Sequence, residues 1–472
     1  MRNIVLELND TGILAVDSET SSLLPLDGQD RESPGFALPG DTGLLVGRDA
    51  ENKAHLFPRQ ITNDFWDNLN TEPLAQSGSA MAASKAEIAY HHLDLIWQNI
   101  QGYGESCLLA VPGFYGRQQL GILLGIANEL SVPVDGFIST ALATSSGAYP
   151  GKMILFLDIH LHRLEVTYIK QGEQMKWEDT VTAAGKGLLF LYKQWAEAIG
   201  REFVENTRFD PFHQAASEQE LYRLLPGVLF NLQKSPAVSF DMTGGSRSYG
   251  ITLTRDFIIR EAAPVYEEIR QLVEGVRRQF GDGETPLLLQ LSHRIARLPG
   301  CRQTLFQINR SKVVELAPGD AAKGALEIWP ALRHQTDGGK ISFFISREMP
   351  PMGKLRASFQ PDNEKSGKHP THLLSGHIAY RISDSPLILG LNESSERTVM
   401  NAGRTPGHIS MPFFSIQLRA GEVVLSNLYP DGTYVDDTLV TGSTLLGLGQ
   451  TLRTGMPERR FHLIICCDSD ET

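Results

Sequence analysis

The stretch GKMILFLDIHLHRLEVTYIK, residues 151–170, decides the fold of this chain. An aliphatic run from Met153 to Leu157 is followed by a polar turn and then by a second run that alternates apolar and polar residues. That order is typical of a β-hairpin whose first strand is buried. The tip, DIHLHR at residues 158–163, contains no glycine. Because glycine lets successive backbone N–H groups approach an anion closely, a tip without glycine is not suited to bind an anion through its backbone.

The composition indicates a globular protein of several domains. The 472 residues are 41% hydrophobic and 21% charged, which is enough for two to four domains with real cores. The formal charge of -12 argues against a nucleic-acid partner, and no apolar run is long enough for a membrane span. The four cysteines show no metal-binding spacing, and Cys466 and Cys467 are adjacent. We therefore expect a cytoplasmic protein without membrane partners. We also expect the N-terminus to form a strand that begins near Ile4, and not a signal peptide.

The first two thirds of the chain alternate strand and helix patterns. Residues 4–16 predict two strands joined by the turn Asn9–Gly12. A buried strand at 107–111, a helix at 117–130 and a strand at 132–137 form the crossover unit of a mixed or parallel sheet. Further helices are predicted at 79–101, 188–205, 218–233, 254–280 and 321–329, and further strands at 237–242, 249–253, 286–291 and 312–315.

The pattern changes near Trp329-Pro330. From there on, short alternating runs separated by Gly, Pro, Asp and Asn replace the helical periodicity, as in a β-sandwich. The first of these runs is Ile341–Ser346, and residues 349–371 read as a loop or linker. The sequence thus predicts an α/β domain at 1–333, with two lobes divided near residue 150, and an all-β domain at 334–472.

Four segments of the α/β domain resemble the nucleotide-binding domain of the seventy-kilodalton heat-shock chaperones, in the actin-like superfamily. They are residues 108–143 (LLAVPGFYGRQQL and the following helix), 252–273 (TLTRDFIIREAAPVYEEIRQLV), SHRIARLPG at 292–300 and APGDAAKGALEI at 317–328. The resemblance implies an actin-like, two-lobed ATPase fold that would hold ATP and magnesium between its lobes.

The residues expected around the nucleotide match less well. The resemblance carries eight residues over as candidate nucleotide contacts: Thr11, Gly12, Asp158, Gly185, Lys186, Gly187, Ser292 and Arg294. At other positions the residues differ from those of the family. Asn9 replaces a glycine of the first loop, Trp66 replaces the catalytic lysine, and Gly136 replaces a glutamate near the metal, with Asp135 beside it. Three glycines of the second loop are replaced by Ile159, His160 and Leu161, and the glycines of the adenosine loop are replaced by Gln290 and Leu291. The resemblance therefore implies a weakened or abolished ATPase with no catalytic residue, while ATP and magnesium stay open as ligands.

The β region resembles a forkhead-associated domain over residues 386–466, best at DGTYVDD, residues 431–437. In that family an arginine binds phosphothreonine, because its planar fork pairs bidentately with phosphate. Here Leu391 stands at the arginine position and Met411 replaces the arginine after Ser410, while Asp431 falls where an asparagine is expected. The resemblance implies a scaffold for protein contacts rather than a phosphopeptide receptor.

Two alternatives follow from the residues themselves. Asp158, His160 and His162 alternate, so on an extended strand they would share a face and could ligate a transition metal. The competing interpretation is a hairpin tip with solvent-facing histidines, and the metal stays unknown.

Two functions are consistent with the whole chain. The first is a chaperone-like pseudo-ATPase that acts as a protein-binding scaffold or adaptor in a multiprotein assembly. The second is an ATP-dependent switch that couples nucleotide binding to the C-terminal β domain. The sequence leaves the partner proteins and the oligomeric state open.

Overall fold

A computed structural model describes residues 2–464, with gaps at 42, 75–81, 146, 246, 334–340, 350–369, 376–377, 384–385, 393–397, 403–408, 420–421, 429–432, 437, 441, 448 and 455–458. The chain divides into two compact units, Met1–Phe359 and Gln360–Thr472. The first is mixed α/β, and the second is built of antiparallel strands. None of the helices in the described ranges combines the length and apolarity that a bilayer crossing requires.

The first lobe of the α/β unit is built around β1, which is buried on both faces. β1 pairs antiparallel with β2 and parallel with β5, and the next strand beyond β5 is β6, so that the sheet order is β6-β5-β1-β2 with one further strand, Ser342–Phe344 (β14), beside β6. Its elements are β1 (Asn3–Glu7), β2 (Leu14–Asp17), β3 (Ala37–Pro39), β4 (Leu44–Val46), α1 (Arg48–Glu51), α2 (Lys85–Ile100), β5 (Ser106–Val111), α3 (Arg117–Glu129), β6 (Val134–Ser139) and α4 (Thr140–Thr144).

The second lobe repeats this arrangement around β7. β7 pairs antiparallel with β8 and parallel with β12, and the sheet order is β13-β12-β7-β8-β9-β15. Its elements are β7 (Met153–Ile159), β8 (Arg163–Gln171), β9 (Gln174–Ala184), α5 (Leu188–Thr207), α6 (Ala215–Lys234), β10 (Ala237–Gly244), β11 (Arg247–Thr254), α7 (Arg255–Phe280), β12 (Leu287–Leu291), α8 (His293–Ala296), α9 (Cys301–Leu305) and β13 (Ser311–Glu315). The helix α10 (Asp320–Arg333) follows them and packs against α4, β1, β2 and β5 of the first lobe.

The aliphatic run in β7 is continuous because both faces of the strand are covered. Leu155 and Leu157 point into the core beneath α5, α6 and α7, whereas Ile154 and Phe156 join a second core with α4 and α10. β7 and β8 form the predicted hairpin, and its turn is closed by a 2.8 Å bond from the His160 N–H to the Arg163 carbonyl.

Two short strands extend the α/β unit beyond the predicted boundary between residues 333 and 334. β14 (Ser342–Phe344) pairs parallel with β6, and β15 (Ser346–Glu348) pairs antiparallel with β9. The sequence pattern predicts that Ile341–Ser346 belongs to the sandwich. Alternation of apolar and polar residues indicates a strand, but it does not show which sheet the strand joins. The division by contacts falls after Phe359 instead.

The second unit contains two antiparallel sheets, ordered β17-β16-β26-β25-β22-β23 and β19-β18-β20-β21-β24. Buried residues from both sheets, including Leu373, Phe414 and Phe461, form a single core, as in a β-sandwich. The strands are β16 (His372–Ser375), β17 (Ile378–Arg381), β18 (Leu387–Asn392), β19 (Thr398–Ala402), β20 (Ile409–Arg419), β21 (Glu422–Asn427), β22 (Thr433–Val435), β23 (Thr438–Leu439), β24 (Ser443–Leu446), β25 (Thr451–Thr454) and β26 (Arg459–Ile464).

Candidate functional site

The tip of the β7–β8 hairpin meets the β1–β2 turn between the two lobes. The Asn9 side-chain amide donates to the Asp158 carboxylate at 3.0 Å and to the Ile159 carbonyl at 3.1 Å. Both side chains are almost fully buried. The Asn9 side-chain oxygen accepts from the Thr11 hydroxyl at 2.7 Å. The two turns are therefore joined directly by side chains.

Asp10 and Leu161 make the next contact across the lobes. The Leu161 N–H donates to Asp10 Oδ1 at 2.8 Å. The Leu161 side chain is 3% exposed and packs into a small apolar cluster of the first lobe, together with Phe36, Leu38, Ala50 and Ala54. Leu161 thus anchors the hairpin tip to the opposite lobe.

Arg294 is the cation at the centre of this contact. Its guanidinium donates to Glu7 Oε1 at 2.8 Å and to the Gly12 carbonyl at 2.7 Å, and it lies 3.7 Å from Asp158 Oδ2. Burial alone would lower the pKa of Arg294, but Glu7 and Asp158 outweigh it and raise that pKa. Ser292 positions Arg294, because its hydroxyl accepts the Ile295 N–H and caps α8.

His160 is a second buried cation in the cleft. Its ring lies 3.5 Å from Asp10 Oδ1 and 3.3 Å from Glu165 Oε2. Burial disfavours the charged ring, but the hydrogen bonds to Asp10 and Glu165 and the charge of Asp158 raise the pKa of His160 to about 10. Glu165 in turn accepts the Gly113 N–H at 3.0 Å. Each of these carboxylates thus has a partner within the chain, while Glu7 Oε2 and Asp10 Oδ2 are buried without a hydrogen-bond partner.

The N–H groups in the first turn of α5 also have partners within the chain. The Leu188 and Leu189 N–H groups donate to the carbonyls of His160 and Leu161, at 2.8 and 3.1 Å. Gly187 is required there, because a Cβ would overlap the Leu161 carbonyl. A helix N-terminus binds phosphate through such free N–H groups. Here those groups are already bonded to the hairpin tip.

Gly185 and Lys186 do not face the cleft cluster. Gly185 has a φ of 74°, which favours glycine, and its N–H closes a turn on the His162 carbonyl at 2.7 Å. The Lys186 ammonium pairs with Glu268 at 2.8 Å and lies over the Phe190 ring. The turn that resembles a phosphate loop therefore has a structural role.

The space left at the junction is small. A cavity of about 10 Å³, close to the volume that one water molecule requires, is lined by residues of both lobes that include Asp10, Trp66, Tyr115 and His160. These residues leave no room there for a triphosphate and its metal.

Trp66, where the resemblance expects a lysine, belongs to a buried hydrogen-bond chain. Its indole N–H donates to His92 Nδ1 at 2.9 Å, and His92 Nε2 lies 2.8 Å from the Ser33 hydroxyl. The Ser33 hydroxyl donates to Asp27 at 3.0 Å. Because an indole can only donate, His92 must accept at Nδ1 and carry its proton on Nε2. Burial lowers the pKa of His92 to about 3, and the ring cannot act as a base toward Ser33.

The metal alternative is not supported by the hairpin tip. Asp158 faces Asn9 and Arg294, and His160 faces Asp10 and Glu165. The His162 ring instead lies 3.0 Å from the Asn63 side-chain oxygen. Within the described residues no group of three or more His, Cys, Asp or Glu side chains could hold a metal ion.

Three further positions where the resemblance expects other residues also have structural roles. The Gln290 side chain accepts the Ser145 hydroxyl at 3.0 Å, and Leu291 is fully buried in β12. Gly136 lies beside β14, where a Cβ would collide with Phe344. A glutamate at Gly136 would therefore displace the strand that extends the first sheet.

The structure brings five of the eight candidate residues together at the junction: Thr11, Gly12, Asp158, Ser292 and Arg294. Of the other three, Gly187 supports the hairpin tip, and Gly185 and Lys186 lie apart from the cluster. Sequence reasoning missed the pairing roles of Glu7, Asp10 and Glu165. The one available signal was their position within or close to the two predicted turns.

In the sandwich, the β18–β20 register places Leu391 opposite Met411. The resemblance expects the phosphate-binding arginine at the position of Leu391 and the arginine of the serine-arginine motif at the position of Met411. Ser410 lies in β20, and Asp431 lies outside the described residues. Neither position of the facing pair carries a cation.

No protein-family model matches this chain, and a search of curated proteins finds no significant match.

Proposed function

We propose that the α/β unit is an actin-like, heat-shock-chaperone-like ATPase fold without nucleotide chemistry, and that the chain serves as a protein-binding scaffold or adaptor. The repeated topology of the two lobes supports the fold. In each lobe a central first strand (β1 or β7) has an antiparallel neighbour on one side and parallel strands on the other. Such paired lobes converge on a cleft at the ends of their first strands.

One observation carries the loss of chemistry: the cleft is filled by direct contacts between the lobes. Arg294 reaches Glu7 and the Gly12 carbonyl, and Leu161 takes the place of a glycine and packs into the first lobe. A nucleotide would have to break these buried contacts, and function depends on sites rather than folds. What remains is a fixed two-lobed body joined to a sandwich, which suits protein contacts.

The sandwich is proposed as a forkhead-associated-like module that contacts proteins without reading phosphothreonine. The facing pair of Leu391 and Met411 supports this, because neither residue can form the bidentate phosphate contact of an arginine.

The ATP-dependent switch is the second candidate. Glu7 and Asp158 support it, because Glu7 is the last residue of β1, Asp158 is the last but one of β7, and both carboxylates could face a metal if the cleft opened. In the closed arrangement both are held by Arg294.

Calorimetric titration with Mg-ATP, followed by a phosphate-release assay, tests the proposal. We expect no binding heat at millimolar nucleotide, because the cleft has no space for the ligand and its cations are paired. Binding with turnover would contradict the proposal and favour the switch. Binding without turnover would contradict the loss of nucleotide binding and leave a nucleotide-sensing pseudoenzyme.

A further inference from the structure

The strand β9 is paired along its whole length with β8, but only partly on its other side. β15 covers β9 from Gln174 to Lys176, and the Trp177 N–H donates to the Ile345 carbonyl at 2.8 Å. Beyond Trp177, no described residue pairs with β9 on that side. An open edge with unpaired N–H and C=O groups is a template for another strand.

A β-bulge separates the covered and open parts of β9. Ile169 lies opposite Trp177 and Tyr168 opposite Asp179, so Glu178 is the extra residue. After the bulge, the Thr180 N–H bonds to the Asp179 carboxylate at 2.8 Å. The turn bond between His160 and Arg163 fixes which residues of β8 bond to β7, and with the β8–β9 register it directs the Thr180 N–H away from β8. Because backbone polar groups alternate between the two sides of a strand, Thr182 directs its N–H and C=O outward as well.

The side chains of this open edge define what could lie beside it. Val181 and Ala183 are half-buried against the core of the second lobe, whereas the Thr180 hydroxyl faces the other way and meets Thr167 at 2.9 Å. Apolar side chains next to Val181 and Ala183 would extend that core.

Asp179 adds a charge requirement. Its carboxylate covers the Thr180 N–H, which an added strand would need. A lysine or arginine opposite Asp179 would draw the carboxylate away and release this donor. A second copy of the chain brings the same carboxylate and is less suited than a basic segment.

We infer that the open edge of β9, residues 179–184, binds an extended segment of another protein by antiparallel strand addition. In the added strand, two alternating apolar side chains face Ala183 and Val181, and a lysine or arginine faces Asp179. The pattern is Val-Thr-Val-Thr-Lys or its chemical equivalent. This mode of recognition takes its affinity from main-chain hydrogen bonds and its specificity from alternate side chains.

The inference rests on the proposed scaffold role and names its partner class, yet it is tested separately from nucleotide binding. A fluorescein-labelled peptide containing Val-Thr-Val-Thr-Lys is titrated into the full-length chain and followed by fluorescence polarisation. We expect saturable binding below about 1 mM, weakened by at least about tenfold in Thr182→Pro, which removes an outward N–H. Thr182→Val keeps the N–H and the branched side chain, and should bind within about twofold of the original protein.

Further measurements distinguish a loss of binding from a loss of folding. Circular dichroism checks that Thr182→Pro is folded, and a peptide N-methylated at alternate residues tests the same bonds without changing the protein. Asp179→Lys should favour a peptide with glutamate in place of lysine. Equal binding of the N-methylated peptide, or no binding of the original peptide at about 1 mM, would overturn the inference. If the protein forms a dimer and Thr182→Pro abolishes it, a second copy of the chain occupies the open edge, and the inference is also overturned. None of these outcomes depends on whether Mg-ATP binds.

Discussion

Replacing Arg294 with alanine should lower the free energy of unfolding by about 3–5 kcal/mol, because it leaves buried carboxylates without their cation. Arg294 and Glu7 are both almost fully buried and lie 2.8 Å apart, and Asp158 is 3.7 Å away. The Gly12 carbonyl loses its donor as well. Urea unfolding, followed by tryptophan fluorescence, measures the change.

Arg297→Ala is the matched control for that substitution. Arg297 also joins the lobes, through Glu32 at 3.1 Å, but its side chain is 47% exposed. Exposed ion pairs contribute about 1 kcal/mol or less, so this variant should remain close to the original protein. Equal effects of the two substitutions would show that the Arg294 cluster does not hold the lobes together.

The stability of the protein should fall as the pH rises from 6.5 toward 10, with a contribution from His160 on the order of a few kcal/mol. The pKa of His160 rises from 6.5 to about 10 on folding. In this window the folded protein keeps a proton that the unfolded chain has released, so each step up in pH favours unfolding. The stabilisation is complete below pH 6.5 and is lost as the pH passes the folded pKa.

His160→Gln isolates this contribution. The difference in unfolding free energy between the original protein and His160→Gln should be largest near pH 6.5 and shrink toward pH 10. Leu161→Ala, an uncharged change in the same turn, should lower stability by a similar amount at both pH values. A His160→Gln difference that stays constant across the window would rule out a charged His160 in the cleft.

The parts of the fold that local patterns determine could be predicted from the sequence. The β7–β8 hairpin, the two strands around the Asn9–Gly12 turn and the long helices leave clear apolar periodicities. β9 was not predicted, because QGEQMKWEDTVTAA is polar and its strand depends on pairing with β8. β14 and β15 were assigned to the sandwich, because only tertiary pairing places them in the α/β sheets.

The candidate site was predictable to a similar degree. The absence of glycine at residues 158–163 predicts a tip that is unsuited to hold a phosphate, but it does not predict which side chains fill the space. The contacts of Asn9 with Asp158, and of Arg294 with Glu7, join residues far apart in the chain, and no local pattern encodes them. The alternation of Asp158, His160 and His162 suggested a common face, yet the turn after His160 sends the histidines to different partners.

Hydrogen exchange at the hairpin tip is the most direct test of a cleft closed by its own side chains. The Leu161 N–H is buried and bonded to Asp10 Oδ1 at 2.8 Å, and the Leu188 N–H is bonded to the His160 carbonyl at 2.8 Å. We predict that both amides are strongly protected without nucleotide, and that millimolar Mg-ATP leaves their exchange unchanged. Fast exchange in the free protein, with protection gained only on adding Mg-ATP, would contradict the account and point to an open cleft that closes on nucleotide.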